Sequence, residues 1–310
     1  MLNKPLNGIV PPMVTPLKNN EQLDDEGVER LVEHILAGKV SGLFLLGTTG
    51  EAPDLSYTVR HELVRKVCAQ VNGRVPVLVG ITDTVIAESL RLACTSLDAG
   101  AAAVVAAPPY YFEPGQPELI DYYTKLAAES PLPLFIYNMP SHTKVMIAPK
   151  TVRDLSENAN IIGLKDSSAN IVYFNKVRHL LRQRTDFPVL IGAEEALVET
   201  VLMGAHGGVC GGANLFPQLY VEAYNAAVAG DLPRLQELQQ RIMDVSQALY
   251  SVGKFATSIV KGIKCSLSLM GICNDFMAEP FSHFLEPERE IIRTRLIELG
   301  VGAGMEHGAE

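Results

Sequence analysis

Short apolar runs rich in β-branched residues recur along the first two thirds of the chain. Most are followed by a stretch with the spacing of an amphipathic helix. The runs fall at 8–14, 42–46, 75–81, 103–107, 134–138, 161–165, 189–191 and 208–210, and the clearest helical stretches are 24–37, 57–71, 85–99, 118–130 and 171–182. Eight strand–helix units in succession predict an α/β fold, a closed (β/α)8 TIM barrel. An open doubly wound sheet is the alternative, but the first strand lacks the GxGxxG turn of that architecture.

Beyond residue 230 the strand beat stops, and 231–251, 256–270 and 287–299 read as helices. The expected division is therefore a TIM-barrel catalytic domain over 1–229 and a C-terminal three-helix extension over 230–310. No repeat or linker marks a second autonomous domain. The closing sequence GVGAGMEHGAE is expected to fray.

Composition narrows the function. The chain has 310 residues, 47% apolar and 20% charged, the balance of a globular protein with a sizeable core. Its net charge of −9, with no basic run, argues against nucleic acid or an anionic membrane as partner. The first residues, MLNKPLNGIVPPMVTPL, carry no signal-peptide pattern, and no apolar run approaches membrane-span length. Five scattered cysteines without a CxxC pair suit reduced, mostly buried thiols, so the expected location is cytoplasmic. The seven histidines show neither HxH nor HExxH spacing, so no metal and no cofactor is expected.

In such a barrel the active site lies at the C-terminal ends of the strands. Those ends read GTTGE (47–51), PPYYF (108–112), YNMP (137–140), GLKDSS (163–168), IGAEE (191–195) and GGVCGGAN (207–214). Lys165 closes an apolar strand with no polar residue leading it to water. An unpaired ammonium there would cost several kcal/mol. Apolar surroundings favour the neutral amine, a nucleophile toward a carbonyl. The plainer alternative is a rim ion pair with Asp166. Tyr137, on the neighbouring strand, can reach inward as a proton-transferring phenol. The GTTGE turn, with Thr48, Thr49 and Gly50, offers hydroxyls and backbone N–H groups to a carboxylate. Together these parts suit Schiff-base chemistry on a 2-oxo acid. Lys261 and Lys264 are rival amines, but they fall in the helical extension and read as structural.

GTTGE, YNxP and GxKD, in this order and spacing, resemble the dihydrodipicolinate synthase / N-acetylneuraminate lyase superfamily of class I aldolases. The resemblance covers nearly the whole chain, including VKGIKCSLSLMGI (260–272). It implies that Lys165 forms the Schiff base with pyruvate or a 2-oxo acid and that Tyr137 shuttles the proton. Thr48 would relay protons to Tyr137, while Thr49 and the turn backbone, Gly50 included, hold the carboxylate. Tyr111 would complete the relay of a neighbouring subunit in a homotetramer, a dimer of dimers. Val209 and Cys210, at the end of the last strand, count among the substrate-binding candidates.

The chain departs from the synthases of that superfamily. They carry YNxPSRTG, whose arginine grips the carboxylate of aspartate semialdehyde; here YNMPSHTK puts His142 in its place. An imidazole does not reproduce a guanidinium fork, although Lys144 could replace the cation. Ala52, Tyr57, Arg60 and Thr84 do not match the set that binds feedback lysine in some synthases. Glu194 and Glu195 align with the acidic pair that holds sugar hydroxyls in sialic acid lyases; a solvated helix start is the alternative. The leading expectation is an aldolase cleaving a 4-hydroxy-2-oxo acid or 2-keto-3-deoxy sugar acid to pyruvate and an aldehyde. Dihydrodipicolinate synthase is the alternative, followed by a sugar-acid dehydratase and a barrel that binds 2-oxo acids without turnover.

Overall fold

The computed structural model describes residues 5–301. Eight strands form one parallel sheet: β1 (Gly8–Ile9), β2 (Leu43–Leu45), β3 (Val77–Gly80), β4 (Ala103–Ala106), β5 (Leu134–Asn138), β6 (Ile161–Asp166), β7 (Val189–Ile191) and β8 (Gly207–Gly208). Strands β2 to β8 pair in sequence order, and β1 joins β8. The ring closes where Pro12 bridges Phe44 in parallel. There Phe44 N–H donates to Pro11 O at 3.0 Å and Met13 N–H donates to Phe44 O at 2.9 Å. The fold is the expected (β/α)8 barrel. β1 stops well short of residue 14 because Pro11 and Pro12 have no N–H to give to a ladder.

A helix follows every strand: α1 (Asp25–Ala37), α2 (Tyr57–Val71), α3 (Ile86–Asp98), α4 (Gln116–Glu129), α5 (Pro149–Leu155), α6 (Ile171–Leu180), α7 (Leu197–Leu202) and α8 (Pro217–Ala229). Side chains start several of them. Asp24, Ser56 and Asn170 accept from the N–H groups of Gly27, Val59 and Tyr173, satisfying donors a helix leaves free at its first turn. Two small elements escaped the sequence reading. An antiparallel hairpin pairs Leu17–Asn19 with Gln22–Leu23, and a one-turn helix spans Pro140–Thr143. Both are too short for a period to show.

Apolar side chains separate into two cores, as alternation along a strand requires. On β5, Leu134 and Ile136 face the helices, whereas Phe135 and Tyr137 join Val10, Phe44, Leu78, Val105, Leu190 and Val209 inside the barrel. Gly163 on β6 makes room for this interior: a Cβ there would stand 2.3 Å from Phe135 Cε1. Each fully buried Leu, Val or Phe contributes about 1.5–3 kcal/mol to holding the layers together.

The expected extension consists of α9 (Leu232–Leu249), α10 (Ser258–Leu269) and α11 (Glu286–Glu298). Asp24, besides capping α1, accepts from the backbone N–H and the side-chain amide of Asn274 at 3.2 and 3.1 Å, which ties the extension to the first helix. No described helix is long and apolar enough to cross a membrane. Cys68, Cys210, Cys265 and Cys273 are buried free thiols, and Cys94 is exposed. Residues 302–310 of the closing stretch lie outside the described residues.

Candidate active site

The GTTGE turn follows β2 and is bracketed by two left-handed residues, Leu46 (φ 56°) and Glu51 (φ 57°). Neither is glycine, so each stores backbone strain of about 1–3 kcal/mol that its surroundings must hold. Glu51 shows how. Its carboxylate is buried, paired with the Lys264 ammonium and accepting from Ala278 N–H at 2.9 Å. Lys264 Nζ also donates to Phe276 O at 2.6 Å. The extension thus pins the turn from behind, and Lys264 is structural, as the sequence suggested. Within the turn, the N–H groups of Gly50, Glu51 and Ala52 bond to Gly47 O, Thr48 O and Gly47 O. The Gly50 N–H, a proposed carboxylate donor, is therefore already engaged. Those of Thr48 and Thr49 have no partner among the described residues.

Lys165 and Tyr137 stand side by side, in register across β6 and β5. Lys165 Nζ lies 3.8 Å from the Tyr137 ring centroid and 4.7 Å from that of Phe44. Its side chain is not paired with Asp166, because alternation turns Asp166 to the opposite face. There Asp166 accepts from Asn138 Nδ2 at 2.9 Å and from Ser168 N–H and Oγ at 3.1 Å. The rim ion pair is thereby excluded. Thr48 Oγ1 lies 3.2 Å from Tyr137 OH. Burial opposes ionisation of Tyr137, but the Lys165 charge and hydrogen bonds from Thr48, Ser167 and Lys165 outweigh it, so its pKa is lowered. The Lys165 side chain thus sits beside a phenol biased toward giving up its proton.

Both rings open onto a cavity of about 410 Å³ at the C-terminal end of the barrel. Thr48, Thr82, Tyr110, Tyr137, His142 and Asp54 supply most of its polar lining. Its other wall comes from the extension, through Ala256, Thr257, Val260, Met277 and Phe281. His142 sits at the rim, with its Nδ1 3.0 Å from Ser141 Oγ. Desolvation, then the Lys165 charge, lowers its pKa below the ordinary 6.5. Thr49 and Gly50 are on the turn but not in the lining, and Lys144 is exposed on a left-handed residue outside it. Tyr111 does not reach this cavity. It is 76% exposed and packs edge-on against the equally exposed Phe112, at 5.1 Å between centroids.

Three candidates belong elsewhere. Glu194 is neither a rim acid nor a solvated helix start, but a buried carboxylate closed off from the cavity. It accepts from Tyr220 OH (2.6 Å), Tyr250 OH (2.7 Å) and Gly212 N–H (2.9 Å). Burial raises its pKa against these bonds. Both oxygens are engaged and buried outside the cavity lining, so no sugar hydroxyl bound there meets them, and Glu195 accepts from Ser246 Oγ at 2.6 Å. Val209 packs inside the barrel, and Cys210 is fully buried, its thiol pKa pushed up by desolvation and by Glu194 and Glu195. Among the described residues, no group of three or more His, Cys, Asp or Glu side chains could hold a metal ion.

A model of the Dihydrodipicolinate synthetase family matches residues 5–298. The chain belongs to this family. A 4-hydroxy-tetrahydrodipicolinate synthase of Methanocaldococcus jannaschii is 31% identical over 295 residues, covering 95% of this chain and 99% of that one. Among solved structures, a dihydrodipicolinate synthase of Bacteroides thetaiotaomicron superposes with a TM-score of 0.94 at 53% identity, covering 96% of this chain and 100% of that one. A prophage protein of the dihydrodipicolinic acid synthase family from E. coli K12, solved in complex with pyruvate, gives 0.90 at 30% identity, covering 96% and 99%. As a family member this chain is an enzyme, a carbon–carbon lyase of the Schiff-base, class I aldolase type.

The family motifs did not disclose the whole cavity. Asp54 was missed although it lies only three residues past Glu51, close enough to the turn to have been considered. Ser167, which helps lower the Tyr137 pKa, sits in the quoted GLKDSS. Met277 and Phe281 carried no signal, because they come from irregular chain between α10 and α11.

Proposed function

We propose that this enzyme cleaves a 4-hydroxy-2-oxo acid, such as a 2-keto-3-deoxy sugar acid, to pyruvate and an aldehyde. The Lys165 amine attacks the keto carbon and water leaves, giving an iminium. Tyr137 takes the proton of the C4 hydroxyl, the C3–C4 bond breaks, and its electrons enter the enamine as the aldehyde departs. Protonation of C3 and hydrolysis release pyruvate and restore the amine. Thr48 relays protons to Tyr137, and the free backbone N–H of Thr48, at the lining, receives the carboxylate. Residues 1–229 act as the catalytic barrel and 230–310 as the extension that completes its wall. Tyr111 acts in the site of a neighbouring subunit within a homotetramer; its exposure beside Phe112 supports that role.

The observation that carries the cleavage reading is the charge of the lining. Apart from Lys165, whose Nζ sits against the Phe44 and Tyr137 rings that open onto the cavity, no arginine or lysine of the described residues reaches its lining, and His142, with its lowered pKa, is neutral near pH 7. A carboxylate on the aldehyde half would find no permanent cation there; a bidentate contact of that kind contributes roughly 1.5–3 kcal/mol. A second reading, dihydrodipicolinate synthase, is favoured by the names of the relatives. Borohydride with pyruvate should add one reduced pyruvyl group, mapped to Lys165. A panel of keto-deoxy acids should release pyruvate with higher kcat/KM than semialdehyde condensation shows. Trapping at Lys165 with efficient condensation and no cleavage would establish the synthase instead.

A further inference from the structure

Asp54 is a carboxylate that the reaction above does not use. It ends a single 3-10 turn (Ala52–Asp54) that continues directly from the GTTGE turn. Its side chain lines the open end of the catalytic cavity, at the rim also occupied by His142. Among the described residues it takes part in no salt bridge, and no side chain or backbone N–H donates to it. The nearby Arg60 is already committed: it pairs with Asp83 at 3.2 Å and donates to Leu55 O and Pro53 O at 3.1 and 3.4 Å. The other lining carboxylate, Glu51, is paired with Lys264. Among the described residues that line the cavity, Asp54 is therefore the one acid with no ion-paired or hydrogen-bonded partner, and it stands exposed at the rim. Partial desolvation, then the charge of Glu51, raises its pKa against the opposing charge of Arg60, so its surroundings do not welcome a further negative charge.

We propose that Asp54 is a specificity-determining residue that selects an uncharged, hydroxylated aldehyde half and rejects an anionic one. This rests on the aldolase reading of the same site. An ionised carboxylate only accepts hydrogen bonds, so it recognises O–H groups. A hydroxyl on the substrate carbons beyond the cleaved bond can donate to Asp54, while neutral His142 can donate to or accept from a second hydroxyl. A phosphate or carboxylate at that end would meet like charge with no cation in the lining to offset it. The apolar wall of Val260, Met277 and Phe281 offers such an anion nothing either.

The condensation direction separates these effects with three acceptors: glyceraldehyde, glyceraldehyde 3-phosphate and propanal, each with pyruvate. The wild type should favour glyceraldehyde over its phosphate by about 100-fold or more in kcat/KM. Asp54→Asn should shrink that ratio at least tenfold and also lower the preference for glyceraldehyde over propanal. Asp54→Arg should invert the phosphate preference. Borohydride trapping of pyruvate on each variant verifies an intact first step. A wild type that prefers the phosphate, or an Asp54→Asn enzyme with both ratios unchanged, overturns the proposal while the aldolase reading stands. Failure of the wild type to trap pyruvate on Lys165 overturns the parent reading, and this one with it.

Discussion

Two of the described lysines are buried, and their surroundings are opposite. Lys264 is 0% exposed, and its ammonium meets the Glu51 carboxylate and the Phe276 carbonyl. Lys165 is 5% exposed and has the faces of Phe44 and Tyr137 around it, with no carboxylate partner. A buried ammonium whose charge is matched ties distant parts of the chain together and serves the fold. One left without a carboxylate has no such contact to give up, which fits the role proposed for Lys165 as the amine that bonds to carbon. The difference teaches that burial alone would not mark a catalytic lysine; on the function proposed here, the missing counter-charge does.

The contrast can be broken most forcefully at the reactive lysine. Lys165→Ala should abolish pyruvate trapping and turnover, read by mass spectrometry after borohydride. Tyr137→Phe should still trap pyruvate but turn over about 10²–10⁴-fold more slowly, because only proton transfer is removed. Lys264→Met should do the reverse, lowering stability by about 3–5 kcal/mol in denaturant unfolding, since Glu51 is left buried and unpaired. Adding Glu51→Gln to Lys264→Met should recover part of that loss. By comparison Lys165→Met should change stability by less than about 1.5 kcal/mol, because no partner is orphaned and the volume is nearly kept. A large loss there would mean that Lys165 has a structural partner after all.

The smallest effect concerns His142. Its folded pKa lies below 6.5, so the native state binds that proton more weakly than the unfolded chain does. Its contribution to stability is therefore fully present above the unfolded pKa and is lost as pH falls through the folded one. In kcat/KM for a hydroxylated substrate, the same titration should give an acid limb below pH 6.5 that His142→Ala removes. A limb that persists in the variant would belong to another group.

Much of this was legible in the sequence because barrel strands are continuous apolar runs, and the chemistry sits where each run ends. Lys165 and Tyr137 announced themselves by breaking that pattern, and register across β5 and β6 brings them together. Glu194 was misread for a physical reason. An acid after a strand looks solvated until distant donors bury it, and Tyr220 and Tyr250 lie 26 and 56 residues further along the chain. The hairpin at 17–23 and the wall built by Met277 and Phe281 are set by tertiary packing, which leaves no local period to read. Asp54 is legible only after its neighbours are known, since a lone acid in a turn has many uses.

The pairing of Glu51 with Lys264 spans 213 positions of the chain, and this gives the molecule a timetable. During synthesis, Glu51 leaves the ribosome long before Lys264, at about 5–20 residues per second. For those seconds the turn between Leu46 and Glu51 has no pin behind it, and the cavity lacks the wall that ends in Phe281. A nascent barrel can have its β-strands and its reactive lysine while remaining unfinished as a catalyst. Activity in a ribosome-bound chain should therefore switch on late, when α10 and the segment after it have emerged.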